Sequence, residues 1–269
     1  MWFQGKDSMP ELVVNCYQSW IENNSDFEII FLDKSNLSNY VEIDPRILNN
    51  VNISIQALSD IIRINLLSQN GGVWVDATCF CLKPLVFWLN EYLATGFFAF
   101  DRPGPDRMIS SWFIASNPGN YIIETWCKSV NDYWIANPTI KSEENLTEFR
   151  KTILKYIQKK YFNETSDWFS FISRKLISVY PYFYFHYLFF EGYMKNKDFK
   201  NMWDNSKKYS ADIPHRLQHF GFNNPITEEL KSEIDDKRIP FFKLSHKIPV
   251  QNISGSAINY LFESSKTSL

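Results

Sequence analysis

The sequence predicts an α/β protein whose first half carries a sheet and whose second half is mostly helical. Three observations carry that prediction. Helical and strand-like patterns alternate over residues 10–116. Glycine- and proline-rich turns at 71–72, 102–105 and 117–120 separate them. With 45% hydrophobic and 22% charged residues, the 269-residue chain also has the composition of a packed globular protein.

Residues 10–24 (PELVVNCYQSWIENN) predict a helix. Pro10 sits where a first helical turn tolerates it, and Leu12, Val13, Cys16, Trp20 and Ile21 recur at helical spacing. Residues 27–32 (FEIIFL) predict a strand ending at Asp33, and residues 34–55 predict turns and one short helix. Residues 56–69 (QALSDIIRINLLSQ) predict a second helix. Leu58, Ile61, Ile62, Ile64, Leu66 and Leu67 surround it almost completely, the pattern of a buried helix. Gly71-Gly72 ends it in a left-handed turn, and Val73-Trp74-Val75 opens a short strand. If that strand stays regular, Trp74, Asp76 and Thr78 share one face.

A helix at about 85–94, a strand at 96–101 (GFFAFD), a turn at 102–105, a strand near 109–116 and a turn at 117–120 come next. Residues 121–137 predict a helix, residues 146–220 mostly helix with a break at Pro181, and residues 239–246 (IPFFKLSH) a final strand. No internal repeat is present.

Net charge of −2 and a pI near 6.1 give no electrostatic reason to expect nucleic acid as a partner. The four cysteines, Cys16, Cys79, Cys81 and Cys127, form no C-x-x-C pair and read as buried thiols of a reducing compartment. Met1-Trp2-Phe3-Gln4-Gly5 lacks the basic and apolar regions of a signal peptide. The aromatic block at 179–194 is too short and too interrupted to span a bilayer. Its Phe and Tyr residues beside Lys175, Lys195 and Lys197 suit either a core helix pair or a membrane surface. Aromatics make up 17% of the chain, which asks for core filler, stacking platforms or membrane-facing surface.

Chemistry concentrates in Ser59-Asp60-Ile61-Ile62-Arg63 and in Gly71-Gly72-Val73-Trp74-Val75-Asp76-Ala77-Thr78. Charges on an otherwise apolar helix must pair or face a polar ligand. Asp76 closes a short strand, and the carboxyl ends of such strands are where open α/β sheets bind ligands. Spacing alone leaves two readings open: a structural Asp60–Arg63 pair with Asp76 in a turn, or a ligand site.

The run SDIIRINLLSQNGGVWVDAT resembles the sugar-nucleotide-binding core of DXD-type glycosyltransferases, and most of all the bacterial capsular polysaccharide synthesis branch related to family 32. Softer likeness lies in Trp2-Phe3-Gln4-Gly5, PELVVNCYQSW, Ser111-Trp112-Phe113-Ile114 and Lys243-Leu244-Ser245-His246-Lys247. The resemblance implies a GT-A-like, Rossmann-type nucleotide-sugar-binding sheet flanked by helices. It also implies transfer of a sugar from a nucleotide-diphosphate sugar, with UDP as the nucleotide, to a hydroxyl of a glycan or lipid-linked oligosaccharide in capsular or exopolysaccharide synthesis. Retention of anomeric configuration is part of the implication, by a front-face route because no nucleophile is evident. Residues 1–140 would form the donor-binding core, 141–238 a mainly helical acceptor or membrane-proximal region, and 239–269 a strand and tail returning to the donor site. The place of action would be the cytoplasm, at the inner face of the cell membrane where lipid-linked acceptors lie.

Carried over position by position, Trp2, Gln4 and Gly5 would line the base and ribose pocket, where indole stacks and glycine admits the ligand. Asp60 would accept from donor-sugar hydroxyls, and Arg63 would bond the sugar or diphosphate. Trp74, Asp76, Ser245, His246 and Lys247 complete the donor set, with Asp60, Arg63 and Asp76 as the catalytic residues. Asp101, Asp106, Ser111 and Trp112 are the acceptor-side candidates, with ordinary loop or core roles as the other reading.

Thr78 departs from the pattern, because the motif has a second Asp there, and a hard cation prefers carboxylate oxygen. Mg²⁺ or Mn²⁺ use is thereby open. Either Asp76 holds the metal with diphosphate and water, aided by His246 or Thr78, or Arg63, Lys247 and helix N-termini meet the leaving-group charge. In the related enzymes a β-strand precedes the Trp-x-x-Gly segment. Here the sequence opens at Met1-Trp2, so either most of that strand is missing or another segment fills its place. A non-catalytic nucleotide-sugar or glycan binder, or a membrane-surface adaptor, is the alternative function.

Overall fold

The computed structural model describes residues 4–142, 146–152, 179–251 and 253–266. They divide into two compact units, each assembled from separate stretches of chain.

One unit comprises residues 40–74 and 95–208. Its central helix, α3 (Ile55–Asn70), follows two earlier helices, α1 (Glu11–Asn23) of the other unit and the one-turn α2 (Pro45–Leu48). Ser54 starts α3, its hydroxyl accepting from the Ala57 N–H at 3.2 Å. Gly71 ends it at φ 67°, ψ −154°, a conformation open essentially to glycine alone rather than the left-handed helical one the sequence predicts. A Cβ there would stand 2.7 Å from both N and Cδ of Pro118. Ile61, Ile62 and Ile64 have no exposed surface and Leu67 almost none, while Leu58 and Leu66 are half-buried, so the helix is buried on most but not all of its circumference.

Strand β1 (Gly72–Val75) joins a three-stranded sheet in the order β1–β4–β3, with β3 (Phe97–Gly104) and β4 (Arg107–Ser116) forming an antiparallel hairpin. The hairpin register shifts between Ala99 and Asp101 and again before Gly104, where Arg102 takes φ 51°. Helix α4 (Tyr121–Ala136) starts from Asn120, whose side-chain oxygen accepts from the Ile122 N–H. It packs on α3 through reciprocal amide hydrogen bonds of Asn65 and Asn131, at 3.1 and 2.9 Å.

Two short strands, β5 (Lys141–Ser142) and β6 (Val179–Tyr180), pair in parallel, and α5 (Tyr184–Lys195) and α6 (Lys197–Asn205) close the unit. Val179, Tyr180, Tyr184, Phe185, Tyr187, Leu188 and Phe189 are buried. Trp126 lies with its ring centroid 4.0 Å from that of Phe185 and donates to the Phe185 carbonyl. Most of the aromatic block is therefore core, with Tyr182 and Met194 at the surface. No helix among the described residues is long and apolar enough to cross a membrane.

The other unit comprises residues 1–39, 75–94 and 209–269. Helix α1 lies on β2 (Cys79–Cys81): the Trp20 indole donates to the Cys79 carbonyl at 2.8 Å, and Ser19 Oγ accepts from the Cys81 N–H at 2.8 Å. Strand β7 (Phe241–Lys243) pairs antiparallel with β2, placing Lys243 opposite Cys79. Helices α7 (Arg216–Phe220), α8 (Glu228–Asp235) and α9 (Ala257–Lys266) complete a core of Leu12, Phe80, Leu230, Phe242 and Leu261 with their neighbours.

Four further local expectations change. Residues 27–32 form no strand: the Phe31 carbonyl and the Asp33 N–H both bond to the Asn36 side chain, removing groups a ladder would need. Residues 85–94 form two 3₁₀ turns instead of one helix. Trp88 leaves helical geometry at φ −146° as its ring packs among Phe241, Tyr92 and Tyr209. The final strand is three residues long because its partner β2 is. Trp74, Asp76 and Thr78 do not share a strand face, since β1 ends at Val75 and the Cys79 N–H turns back to the Asp76 carbonyl at 3.1 Å.

Candidate functional site

The chain leaves one unit and enters the other between Trp74 and Val75, in the middle of the motif. Two groupings result, one in each unit.

In the first, burial of α3 forces its charges together. Arg63 is 4% exposed. One guanidinium nitrogen forms an ion pair with Asp60 Oδ1, and another reaches the Ser59 hydroxyl at 3.4 Å. The guanidinium carbon lies 5.1 Å from the Trp74 ring centroid and 5.6 Å from that of Phe185, so aromatic faces replace water around the cation. Trp74 itself is buried. Below them Tyr184 donates to the Ala57 carbonyl at 3.1 Å, and its phenol is pushed well above the ordinary range by burial and by the Asp60 carboxylate. The Asp60 side chain retains 14% of its surface against 5% for Arg63, so a ligand hydroxyl reaches the carboxylate first. The arrangement is a rigid acceptor whose orientation is fixed by a buried cation.

The second grouping gathers where β2 meets β7. Thr78 is buried, and its hydroxyl accepts from Lys243 Nζ at 2.5 Å. Lys243 Nζ also donates to the Leu244 carbonyl at 3.0 Å, and the Leu244 N–H donates to the Thr78 carbonyl at 2.7 Å. Burial pushes the Cys79 thiol up to about 12; the Lys243 ammonium opposes the shift and the Asp76 carboxylate adds to it. Both charges thus act on one thiol. After β7 the chain turns, with the Ile248 N–H donating to the Ser245 carbonyl and the Lys247 N–H to the Ser245 hydroxyl at 3.3 Å. His246 and Lys247 are exposed. His246 titrates below the ordinary histidine range through partial desolvation and the ammoniums of Lys247 and Lys243.

Gln4 is exposed and Gly5 holds φ 94°; a Cβ on Gly5 would sit 4.0 Å from Asp33 Oδ2. The Asp33 carboxyl is held below its usual range by the hydroxyl and N–H of Ser35. Trp2 lies outside the described residues.

The acceptor-side candidates all fall in the first unit. Asp101 stands opposite Ile109 at the hairpin irregularity. Asp106 accepts from Tyr187 Oη at 2.8 Å and from Arg107 Nε at 3.1 Å, while the Arg107 guanidinium covers the Phe183 ring at 3.9 Å. Ser111 is half-buried. Trp112 is buried with its ring centroid 4.9 Å from that of Phe100.

Sequence reading missed Lys243 as a site residue, and missed Ser59 and Phe185 as supports of Arg63. Lys243 lies 165 positions from Thr78, and only the strand register joins them. Among the described residues no group of three or more His, Cys, Asp or Glu side chains could hold a metal ion.

The chain is 28% identical over 153 residues to the O-glycosyltransferase braB of Annulohypoxylon truncatum, an alignment covering 49% of this chain and 36% of that protein. The chain therefore spans only about a third of the length of that curated relative. No solved structure matches it significantly. The family described as capsular polysaccharide synthesis protein matches residues 1–142 and 139–262. That match runs through both groupings and nearly the whole chain, so the protein belongs to the capsular polysaccharide synthesis family.

Proposed function

We propose that this chain is a glycosyltransferase moving a sugar from a nucleoside-diphosphate donor, UDP by preference, to a hydroxyl of a glycan or lipid-linked oligosaccharide, with retention of configuration. The observation that carries the reading is the buried Asp60–Arg63 pair set against Trp74 at the start of the Trp-x-Asp run. A chain with purely structural needs meets them more cheaply with apolar residues on such a helix. The family and the relative named an O-glycosyltransferase support the same reaction class.

In this reading the donor core is GT-A-like and lies within residues 1–140, with acceptor contacts from 141–238. Asp60 accepts hydrogen bonds from donor-sugar hydroxyls, with Arg63 fixing the carboxylate. Asp76 takes the ribose or sugar, and Trp2, Gln4 and Gly5 take the base end. Asp106, oriented by Tyr187 and Arg107, is the acceptor-side residue with the best-defined geometry. Most of the 179–194 block is buried, Tyr182 and Met194 excepted, so most of its aromatic side chains pack inside the protein and not on a membrane.

The test is release of nucleoside diphosphate from a panel of nucleotide sugars, with and without glycan acceptors. One donor should turn over, and Asp76→Asn should abolish the release while thermal stability is kept. Tight nucleotide-sugar binding with no release under any condition would convert the reading to the non-catalytic binder suggested by Thr78.

A further inference from the structure

Resting on that transferase reading, we infer that the Lys243 ammonium, held on the Thr78 hydroxyl, supplies the positive charge that steadies the departing diphosphate in place of a divalent metal.

The residues at this corner suit an ammonium and not a metal. A Mg²⁺ or Mn²⁺ ion wants several charged oxygen ligands. Asp76 offers one carboxylate, Thr78 is neutral, and the Thr78 oxygen already accepts from a cation at 2.5 Å. A metal bound there would face that ammonium at hydrogen-bond range, and no other His, Cys, Asp or Glu among the described residues completes a metal cluster with Asp76.

The same geometry makes Lys243 fit for the role. An ammonium has three N–H donors. Two go to Thr78 Oγ1 and the Leu244 carbonyl, and among the described residues no acceptor takes the third. Both acceptors are neutral, so neither hydrogen bond cancels the cation's charge. An aspartate at position 78 would have neutralised it. The charge is felt across the corner, at Cys16, Cys79, His215 and His246. Position is rigid as well, because the β2–β7 register and the Leu244–Thr78 backbone bond hold both ends of the contact.

In the transfer step the anomeric C–O bond breaks and its electron pair passes to the bridging diphosphate oxygen. The acceptor oxygen bonds to the anomeric carbon, and its proton passes to the diphosphate. Lys243 keeps all its protons and donates a hydrogen bond to a diphosphate oxygen throughout, an electrostatic role that strengthens as charge develops.

The experiment is calorimetric titration of the full chain with UDP, GDP, ADP and CDP, in EDTA and in Mn²⁺, alongside titration with Mn²⁺ alone. The preferred nucleotide should bind the wild type equally well in EDTA and in Mn²⁺. Lys243→Met, which keeps the apolar stem, should weaken binding roughly 10–100-fold, the worth of one charge-assisted hydrogen bond, and Lys243→Arg should restore part of it. Should Lys243→Met fail to fold, Thr78→Asp tests the same point without truncation: it neutralises the ammonium and should weaken binding in EDTA by a similar factor. The double variant Thr78→Asp/Lys243→Met should bind Mn²⁺ alone where the wild type does not. Nucleotide binding that requires Mn²⁺ in the wild type would overturn the inference and leave the transferase reading standing. So would affinities within about twofold of wild type in both single variants. No nucleotide binding in either condition would sink the transferase reading, and this inference with it.

Discussion

Replacing Asp60 by Asn isolates the charge of the α3 ion pair, because the amide keeps the shape and one acceptor oxygen. The Arg63 side chain has 5% of its surface exposed and cannot swing out to water. Removing one partner of such a buried pair costs about 3–5 kcal/mol, and the retained acceptor places Asp60→Asn near about 3 kcal/mol. Arg63→Met removes the cation from the Trp74 and Phe185 rings, worth about 1–2 kcal/mol. It leaves a carboxylate that can still hydrate through its 14% exposed surface, so its total cost is about 2 kcal/mol. In the double variant no charge is stranded, and the cost should return to about 2 kcal/mol instead of the additive value of about 5. The coupling is then about 3 kcal/mol. Urea unfolding of the four proteins measures the cycle, and thermal scans should show Asp60→Asn melting roughly 6–12 °C lower. Additivity within about 0.5 kcal/mol would refute the claim that burial of α3 binds these two charges to one another.

Gly71→Ala should cost about 2–4 kcal/mol in the same assay, because alanine strains at φ 67°, ψ −154° and its Cβ meets the Pro118 backbone at 2.7 Å; a loss below about 1 kcal/mol would contradict the turn. Ser54→Ala should cost about 1 kcal/mol by releasing the Ala57 N–H, and Ser54→Asp should not. The four buried thiols should react with DTNB at pH 8 at well under one equivalent in the native protein and at four when unfolded. Cys79 and Cys81 titrate near 12 and Cys127 near 11 against 9 in the unfolded chain, so their contribution to stability is full below pH 9 and falls as pH rises toward 11–12; a melting temperature rising across that window would reverse the sign.

Local pattern made much of this legible. The largely apolar helix, its glycine stop and the Trp74 strand need only sequence-near information, and Asp60 and Arg63 stand out because isolated charges on such a helix must be satisfied. The details that escaped depend on groups outside the segment concerned. Nothing within residues 27–32 announces that Asn36 takes the backbone bonds a strand would use. Nothing within 85–94 announces that the Trp88 ring packs with Phe241 and Tyr209 and draws the backbone out of helical geometry. The 179–194 block suits core, the commoner case, or membrane surface, because a buried aromatic helix and an interfacial one share composition. Contacts with Trp126 and Tyr133 of α4 put Phe185 and Tyr184 in the core, while Tyr182 and Met194 stay exposed.

Thr78 looked like the weak point of the motif and becomes informative once Lys243 is beside it. The two groupings each hold a cation, and their partners differ in charge. Arg63 is compensated by Asp60, so it can orient a carboxylate but adds little net positive potential. Lys243 rests on a hydroxyl and a carbonyl, which accept its hydrogen bonds without cancelling its charge. A departing diphosphate needs a cation held at fixed distance and not hydrogen-bonded to a carboxylate, and of these two Lys243 is the one whose hydrogen bonds go to neutral acceptors. In this proposal Thr in place of the motif's second Asp leaves the lysine available: an acidic residue at 78 would pair with Lys243 directly and cancel its charge.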